Sequence, residues 1–186
     1  MDFSMIKRLQ MPKLDLRNIE WPRFDFSGSQ WPKMTKLRIG DAVAKLPIVQ
    51  GGMGVGISLS GLASAVANEG GIGVIAANSI GMLDPEYYAK NKDANSIILR
   101  KEIRKAQEKT AGLIGVNIMM AVDDCLDLIR VAIEEKIDMV FLGAGLPIKG
   151  IPVEDLRTAG VKVIPIVSSA RAAGLIFRSW SKKYKD

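Results

Sequence analysis

A glycine cluster that follows a short apolar run is the stretch of this sequence best suited to chemistry. The motif PIVQGGMG occupies positions 47–54 and contains Gly51, Gly52, Met53 and Gly54. Glycines allow positive φ and let backbone N–H groups approach a ligand closely, so such a loop can hold a phosphate or a flat polar ring. Ser58 or Ser60 then opens an alanine-rich helical pattern. The pattern predicts a strand, a ligand-binding loop and a helix.

Two common nucleotide-binding glycine loops are excluded by spacing. A P-loop places a Lys-Ser or Lys-Thr pair after its last glycine, and no lysine occurs between Lys45 and Lys90. A dinucleotide fingerprint needs a glycine or alanine three residues after its Gly-x-Gly, where this chain has Leu59. A ligand on this loop would therefore be held by a different scaffold.

The composition predicts one globular domain in a reducing compartment. Of the 186 residues, 48% are hydrophobic and 25% are charged, which is typical of a soluble globular protein. The single cysteine, Cys125, excludes an intramolecular disulfide framework. No secretory leader is visible, and no apolar run reaches the roughly 18–20 residues of a membrane helix. We therefore expect a cytoplasmic protein with no membrane partner.

The net charge of +6 is concentrated at the two ends of the chain, whereas the middle is slightly acidic. Basic ends would favour nucleic acid, yet neither end contains a recognisable DNA- or RNA-binding motif. Short runs of lysine and arginine usually keep a surface hydrated or attract anions. We therefore expect no nucleic-acid partner.

A weak repeat of ten residues distinguishes the first 36 residues from the rest. Each copy has Met or Trp, then Pro, a basic residue and alternating apolar residues, as in WPRFDF at 21–26. The prolines favour extended chain, and the apolar residues are too sparse for an independent core. We predict an irregular extension at 1–36, either lying on the surface or binding a partner, and an ordered domain at 37–186.

Strand and helix patterns alternate within 37–186. Predicted strands lie at 48–50, 72–77, 113–120, 138–142 and 162–167, and predicted helices at 60–69, 96–110, 121–136, 153–159 and 170–180. A small hairpin at 37–46 precedes them, and a turn at 82–85 lies in the longest connection. The strand centres recur about every 24 residues, apart from one gap of about 42, which is typical of βα units in one parallel sheet.

Two architectures fit five such units. A doubly wound sheet needs about five strands and would be complete, whereas a (β/α)8 barrel needs eight units in roughly 250 residues and would be incomplete. A barrel segment should show the strands in sequential order, with the first strand beside the second only. A doubly wound sheet should instead place residues 48–50 centrally, between two parallel strands.

Five motifs in a fixed order resemble the nitronate monooxygenases and the related flavin-dependent enoyl-acyl-carrier-protein reductases. They are PIVQGGMG (47–54), GGIGVI (70–75), GVNIM (115–119), GAGLP (143–147) and VIPIVSSA (163–170). The resemblance covers about residues 37–180. It implies an α/β fold of the TIM-barrel (β/α)8 type, truncated to about five βα units, with FMN at the carboxyl ends of the strands.

The resemblance also implies which residues bind FMN. The glycine loop would lie along one face of the isoalloxazine ring and tune it through backbone dipoles and hydrogen bonds. Asn117, polar in an otherwise apolar strand, would bind the polar ring edge or the ribityl chain, or would be a core asparagine satisfied within the protein. Ser168 and Ser169 would extend the same rim or cap the last helix. The implied cofactor-binding residues are Gly51, Gly52, Met53, Gly54, Asn117, Gly145, Ser168 and Ser169.

The chain departs from the family pattern because it contains no histidine. The family places a catalytic histidine in an Ala-Gly-Gly-His segment after strand six, and its FMN phosphate loops after strands seven and eight. These three units do not occur in the 186 residues, so the sequence provides no catalytic residue. We expect a fragment, a truncated relative or half of a split protein.

Three functions are expected on this basis. The first is FMN-dependent oxidation of alkyl nitronates with O₂, and the second is reduction of an enoyl thioester on the same scaffold. Both have a small-molecule substrate, a nitronate or an enoyl thioester. The third is a non-catalytic fragment or assembly module, in which self-association covers the open edges of the barrel sheet.

Overall fold

The computed structural model describes residues 35–148 and 150–184, which form an α/β structure. The strands are β1 (Leu37–Ile39), β2 (Ala42–Ala44), β3 (Gly73–Ala76), β4 (Ile114–Met119), β5 (Met139–Gly143) and β6 (Lys162–Pro165). The helices are α1 (Ser60–Asn68), α2 (Pro85–Lys90), α3 (Ala94–Lys109), α4 (Cys125–Glu134), α5 (Val153–Thr158) and α6 (Ala170–Tyr184), with a 3-10 helix at Ile80–Leu83. The predicted extension lies outside the described residues apart from its last two, so its boundary and its packing stay predictions.

Four strands form one parallel sheet in the sequential order β3-β4-β5-β6. The predicted strand at 48–50 is reduced to a single parallel bridge between Val49 and Ile72, next to β3. Ile72 N–H donates to the Ile48 carbonyl at 2.9 Å, and Gln50 N–H donates to the Ile72 carbonyl at 3.0 Å. The sequential order confirms the barrel-type prediction, and the doubly wound alternative is wrong.

The alternation of side chains gives the sheet two different apolar faces. One face packs against the helices in the main core, which includes Ile75, Val116, Val140 and Leu142 from the strands and Leu99, Ile103 and Ala106 from α3. These three α3 residues are fully buried, as the helical periodicity predicts. The opposite face carries Val74, Met139 and Phe141, which pack with residues of the β1–β2 hairpin.

The β1–β2 hairpin is also tied to the far edge of the sheet by an ion pair. The Asp41 carboxylate accepts a hydrogen bond from the Lys162 ammonium group, with 2.7 Å between Oδ1 and Nζ. This bond is the largest cause of the lowered pKa of Asp41. Lys162 is the first residue of β6, so the hairpin lies at the amino-terminal end of the strands and leaves their carboxyl ends uncovered.

The longest connection differs from its prediction. The turn expected at 82–85 is the junction between the 3-10 helix and α2. Asp84 caps α2 by accepting the Tyr87 N–H at 3.1 Å, and Pro85 occupies the first helical turn, where its missing N–H removes no helical hydrogen bond. The prediction was wrong because an Asp-Pro pair is typical of a turn and of a helix start alike. Helix α4 also begins later than predicted, at Cys125.

A buried carboxylate connects α3 to the start of α1. Glu102 is 6% exposed, and its Oε2 accepts the Ser60 N–H at 3.0 Å while its Oε1 accepts from Lys105 Nζ at 2.8 Å. The N-cap position of α1 is Leu59, which has no capping side chain, so Glu102 satisfies an N–H that would otherwise lack a partner. Burial raises the pKa of the Glu102 carboxyl, but the hydrogen bonds from Lys105 and Ser60 outweigh burial and lower that pKa overall.

Replacing Glu102 by Gln should lower the free energy of unfolding at neutral pH by about 1–3 kcal/mol, because charge-assisted bonds to a buried group are lost. The folded-state pKa lies below the ordinary value of 4.5, so this stabilisation is complete above that value and is lost as the pH falls through the lower folded-state pKa. Thermal denaturation of the wild type and Glu102→Gln should show a constant gap in Tm near neutral pH that narrows in acid. Glu108→Gln, an exposed change on the same helix, is the control, and a gap that persists unchanged in strong acid would contradict the assignment.

Both lateral edges of the sheet expose apolar side chains. Ile48 is 47% and Val49 is 40% exposed at one edge. At the other edge Ile166, directly after β6, is 51% exposed, and Phe177 of the following helix α6 is 61% exposed. Such patches favour association in water. The self-association expected from the sequence stays a prediction. Among the described residues, no helix has the length and apolar content needed to cross a membrane, and the cytoplasmic location also stays a prediction.

Self-association should appear as a sedimentation coefficient that rises with protein concentration. Phe177→Lys should reduce that rise, because it removes exposed apolar surface from one edge without altering a buried residue. Sedimentation velocity on both proteins over a hundredfold range of concentration, about 1–100 μM, tests the prediction. A coefficient typical of a monomer at every concentration of the wild type would contradict it.

Candidate functional site

The predicted site residues lie at the carboxyl ends of the parallel strands. The glycine loop at 51–54 follows the bridge at Val49, and Asn117 lies late in β4. In the register of the sheet, Asn117 is level with Ala76 of β3 and Phe141 of β5. Paired residues of parallel strands point to the same side. Asn117 therefore faces the side of the sheet opposite the helices, where a barrel has its interior.

The glycine loop lies directly on the side chain of Asn117. A Cβ atom built on Gly52 would be 2.5 Å from Asn117 Cβ and 2.9 Å from Asn117 Oδ1, so a glycine is required at this position. The Asn117 amide group donates to the Phe141 carbonyl at 3.2 Å. Two of the predicted site residues are thus brought into contact, and one donor of Asn117 is used within the protein. Their contact with FMN stays a prediction.

Asn78 is a site residue that the sequence prediction missed. It follows β3, and its Oδ1 accepts the Met119 N–H at 2.8 Å, which joins the ends of β3 and β4. Its Nδ2 is buried and has no hydrogen-bond partner among the described residues. The glycine loop passes beside it, since a Cβ on Gly54 would be 3.5 Å from the Asn78 carbonyl oxygen.

An unsatisfied buried amide donor costs about 1–3 kcal/mol, so it needs a reason. A ligand with an acceptor atom that fits beside the glycine loop would supply the missing bond to Asn78 Nδ2. The only signal in the sequence is a polar Asn-Ser pair directly after the apolar strand pattern at 72–77. That signal is shared by many strand ends, which is why the residue could not be singled out.

Met53 contributes differently from the glycines beside it. Its N–H donates to Ser58 Oγ at 2.9 Å, so this backbone donor is used within the protein. Its side chain is 61% exposed. A ligand on the loop would therefore meet the Met53 side chain and the backbone of the neighbouring glycines.

The three remaining predicted residues are Gly145, which is closely packed, and the serines Ser168 and Ser169 before α6. Gly145 has φ +156°, and a Cβ there would be 2.7 Å from Met120 Cβ, just past β4. Ser169 Oγ accepts the Ala172 N–H at 3.2 Å, so Ser169 caps α6, in agreement with the structural alternative. Ser168 is exposed in the same loop. Their contact with a cofactor stays a prediction.

None of the side chains that form this site is ionisable. Glycine backbone, amide groups and hydroxyls can bind and orient a flat polar ring, but they do not act as an acid or a base near neutral pH. Within the part of the chain that the structure describes, no cluster of His, Cys, Asp or Glu could hold a metal ion. The arrangement is therefore suited to binding a neutral ring.

Comparison with known proteins assigns the chain to a family. The family model for nitronate monooxygenase matches residues 36–183. The chain belongs to the nitronate monooxygenase family. The sequence prediction of this family is thus confirmed, and the matched range covers every predicted site residue.

Solved structures of similar proteins support the same fold. FabK from Thermotoga maritima is 36% identical, with a TM-score of 0.58 over 72% of this chain and 37% of that chain. Its M276A variant is 32% identical, with a TM-score of 0.56 over 69% and 38%. Nitroalkane oxidase from Streptomyces ansochromogenes is 20% identical, with a TM-score of 0.59 over 73% and 44%, which supports the fold alone. No match was found among curated proteins. This nitronate monooxygenase family member spans less than half the length of these relatives.

Because Gly52 contacts Asn117, alanine substitutions at the two adjacent glycines Gly51 and Gly52 should differ sharply in their effect on stability. Gly52→Ala should lower the free energy of unfolding by about 1–3 kcal/mol, because the added methyl group overlaps Asn117 and forces the loop to move. Gly51→Ala is the matched control, since a Cβ on Gly51 has no atom within 4 Å. Urea denaturation of the three proteins measures the difference. Equal stability of the two variants would show that the loop does not lie on Asn117.

Proposed function

We propose that this chain supplies the ring-binding part of the FMN site in an oxidoreductase of the nitronate monooxygenase type. The observation that carries the proposal is Asn78 Nδ2, a buried donor with no partner in the described chain, on a residue whose carbonyl oxygen lies beside Gly54 of the glycine loop. The loop itself lies against Asn117. An uncharged flat surface with an unused amide donor fits a ring that carries carbonyl and nitrogen acceptors along one edge.

The residues would divide the work of holding FMN. The backbone of Gly51, Gly52 and Gly54 would lie along one face of the ring, and Asn78 would donate a hydrogen bond to an acceptor at its edge. Asn117 would orient the loop through its contact with Gly52 and would present the rest of its amide towards the site. When bound, FMN supplies the two-electron chemistry, by which a nitronate is oxidised with O₂ as the final acceptor.

The proton transfer that accompanies such an oxidation needs a group that these residues do not provide. The chain contains no histidine, and the family pattern places the catalytic histidine in a part of the barrel that the matched region does not include. A placed general base contributes about 10²–10⁴-fold in rate. We therefore propose that this chain binds and orients the ring, and that the acid-base group belongs to another part of the complete barrel.

The affinity for FMN should be low in this chain alone. In the family pattern the phosphate of FMN is held by loops that follow strands seven and eight, which lie outside the matched region. Three missing charge-assisted bonds at about 1.5–3 kcal/mol each correspond to a loss of thousands-fold or more in affinity. The same estimate supports negligible nitronate oxidation by the 186-residue chain alone.

Two other functions from the sequence stay predictions. Reduction of an enoyl thioester would use the same ring-binding surface, and a non-catalytic assembly module would use the exposed apolar edges. Flavin binding separates the module from both enzymes, and substrate turnover separates the enzymes from each other.

The proposal predicts that FMN binding depends on Asn78. The chain should be mixed with a separate polypeptide that carries the remaining barrel strands of a family relative, and flavin absorbance should co-elute with protein on gel filtration. Asn78→Asp keeps the acceptor for Met119 N–H and removes the unused donor, so it should weaken FMN binding about tenfold. Asn68→Asp, an exposed amide change on α1, should leave the affinity unchanged.

The outcome of the same experiment decides between the candidate functions. Oxygen consumption with a nitronate should appear only in the flavin-bound mixture. Tight stoichiometric FMN and full turnover by the 186-residue chain alone would overturn the division of roles, and no flavin in any mixture would favour the assembly module.

A further inference from the structure

Ser58 is a buried hydroxyl whose hydrogen bonds all reach the glycine loop or its supports. It is 1% exposed. Its Oγ accepts from the Met53 N–H at 2.9 Å and from Gln50 Nε2 at 3.0 Å, and it donates to the Gly51 carbonyl at 3.2 Å. A hydroxyl group has one donor and two acceptor sites. Every one of them is used, so the orientation of this hydroxyl is fixed.

Gln50 uses both of its side-chain donors in the same network. Its Oε1 accepts the Val74 N–H at 3.2 Å, and its Nε2 donates to the Val74 carbonyl at 3.0 Å as well as to Ser58. The side-chain amide thus pairs with β3 as a neighbouring backbone would. This pairing lies where the strand ends and the glycine loop begins, so the loop starts from a fixed point on β3.

The backbone of Ser58 also bonds to the glycine loop and to the end of β3, near Asn78. Ser58 N–H donates to the Met53 carbonyl, and the Ala76 N–H donates to the Ser58 carbonyl, both at 2.9 Å. Ala76 is the last residue of β3 and stands two residues before Asn78. One buried serine is therefore bonded both to the loop that carries Gly52 and to the strand end that carries Asn78.

We propose that Ser58 and Gln50 are positioning residues that hold the glycine loop in its ligand-binding conformation before any ligand arrives. They act through Gly51 and Met53 and need not touch the ligand. Without them the loop would become ordered only when the ligand binds, and the entropy lost in ordering it would weaken binding. This loss is large because glycines lose more conformational freedom than other residues when they become fixed. The ligand is the FMN ring of the proposed function, so the affinity part of the inference rests on that function.

A second buried serine provides a matched comparison. Ser64 is 4% exposed, but its Oγ donates to the Gly61 carbonyl of its own helix at 3.1 Å. Ser64→Ala therefore removes a buried hydroxyl of the same kind without touching the loop. If Ser58 contributed only to overall stability, Ser58→Ala and Ser64→Ala would change the mobility of the glycine loop to the same extent.

Hydrogen exchange of the chain without flavin tests the positioning directly. In Ser58→Ala the amides of Met53 and Ser58, which are hydrogen-bonded across the loop, should exchange at least about tenfold faster than in the wild type, because Met53 N–H and Gly51 C=O lose their buried partner. In Ser64→Ala these two amides should exchange as in the wild type. Ser58→Thr keeps the hydroxyl and should restore slow exchange. Unchanged exchange of the loop in Ser58→Ala would overturn the proposal.

Gln50→Met is the second variant, because Gln50 is only half-buried and its replacement leaves the core intact. It should speed up loop exchange in the same region. In the double variant with Ser58→Ala, the acceleration of exchange should be smaller than the product of the two single accelerations, because both substitutions remove the same hydrogen bond. Strictly multiplicative effects, or no effect of Gln50→Met on the loop, would show that the pair does not act as a unit.

The affinity for flavin of the chain mixed with the remaining barrel strands separates this inference from the proposed function. Ser58→Ala should weaken FMN binding about tenfold and alter the absorption bands of the bound flavin, whereas Ser64→Ala should do neither. If the wild-type mixture binds no flavin, the proposed function fails, and the exchange experiment still decides whether Ser58 positions the loop. If flavin binds equally well to Ser58→Ala with a loosened loop, the positioning role in binding is wrong and the proposed function stands.

Discussion

The parallel pairing of successive strands is the constraint on which the rest of this structure depends. Because β3, β4, β5 and β6 run in the same direction and in sequential order, the loops that follow them all emerge at one edge. The same pairing sets Ala76, Asn117 and Phe141 level with one another. Helices cover one face, and the β1–β2 hairpin covers the amino-terminal part of the other. The uncovered region is the carboxyl end of the barrel-facing side, where the glycine loop meets Asn117.

The order and type of the elements could be predicted because they depend on periodic burial. Strands such as β5, which is buried along its whole length, show as continuous apolar runs, and α3 shows as a stripe that recurs with helical spacing. The length of the first strand was overestimated because residues 48–50 have a strand-like composition. Only Val49 forms a bridge in the structure. The connection near Asp84 was misassigned because local chemistry there fits a turn and a helix cap equally well.

The site was predictable only where a residue type was unusual for its element. A glycine cluster after an apolar run and an asparagine within a strand are local signals, and Gly52 and Asn117 are in contact. Gln50 and Ser58 were not predicted as site residues, because Gln50 pairs with Val74, 24 residues away in the chain, and the Ser58 carbonyl accepts from Ala76 of β3. Ser58 looked like the start of a helix, yet Glu102 from α3 caps α1. Contacts of this kind follow from the fold and not from the local sequence.

The ion pairs among the described residues do not involve the glycine loop or Asn117. Arg100 and Arg104 pair with Glu135 between α3 and α4, Lys105 pairs with Glu102 within the helical layer, and Asp41 pairs with Lys162 at the amino-terminal end of the sheet. The Arg104 hydrogen bond is the largest cause of the lowered pKa of Glu135, so this carboxylate stays ionised and committed to its partners. The contacts that the structure shows at the glycine loop are made by backbone groups, the Asn117 amide and the Ser58 hydroxyl. Such a surface can hold a neutral ring in one orientation without stabilising either charged form of it.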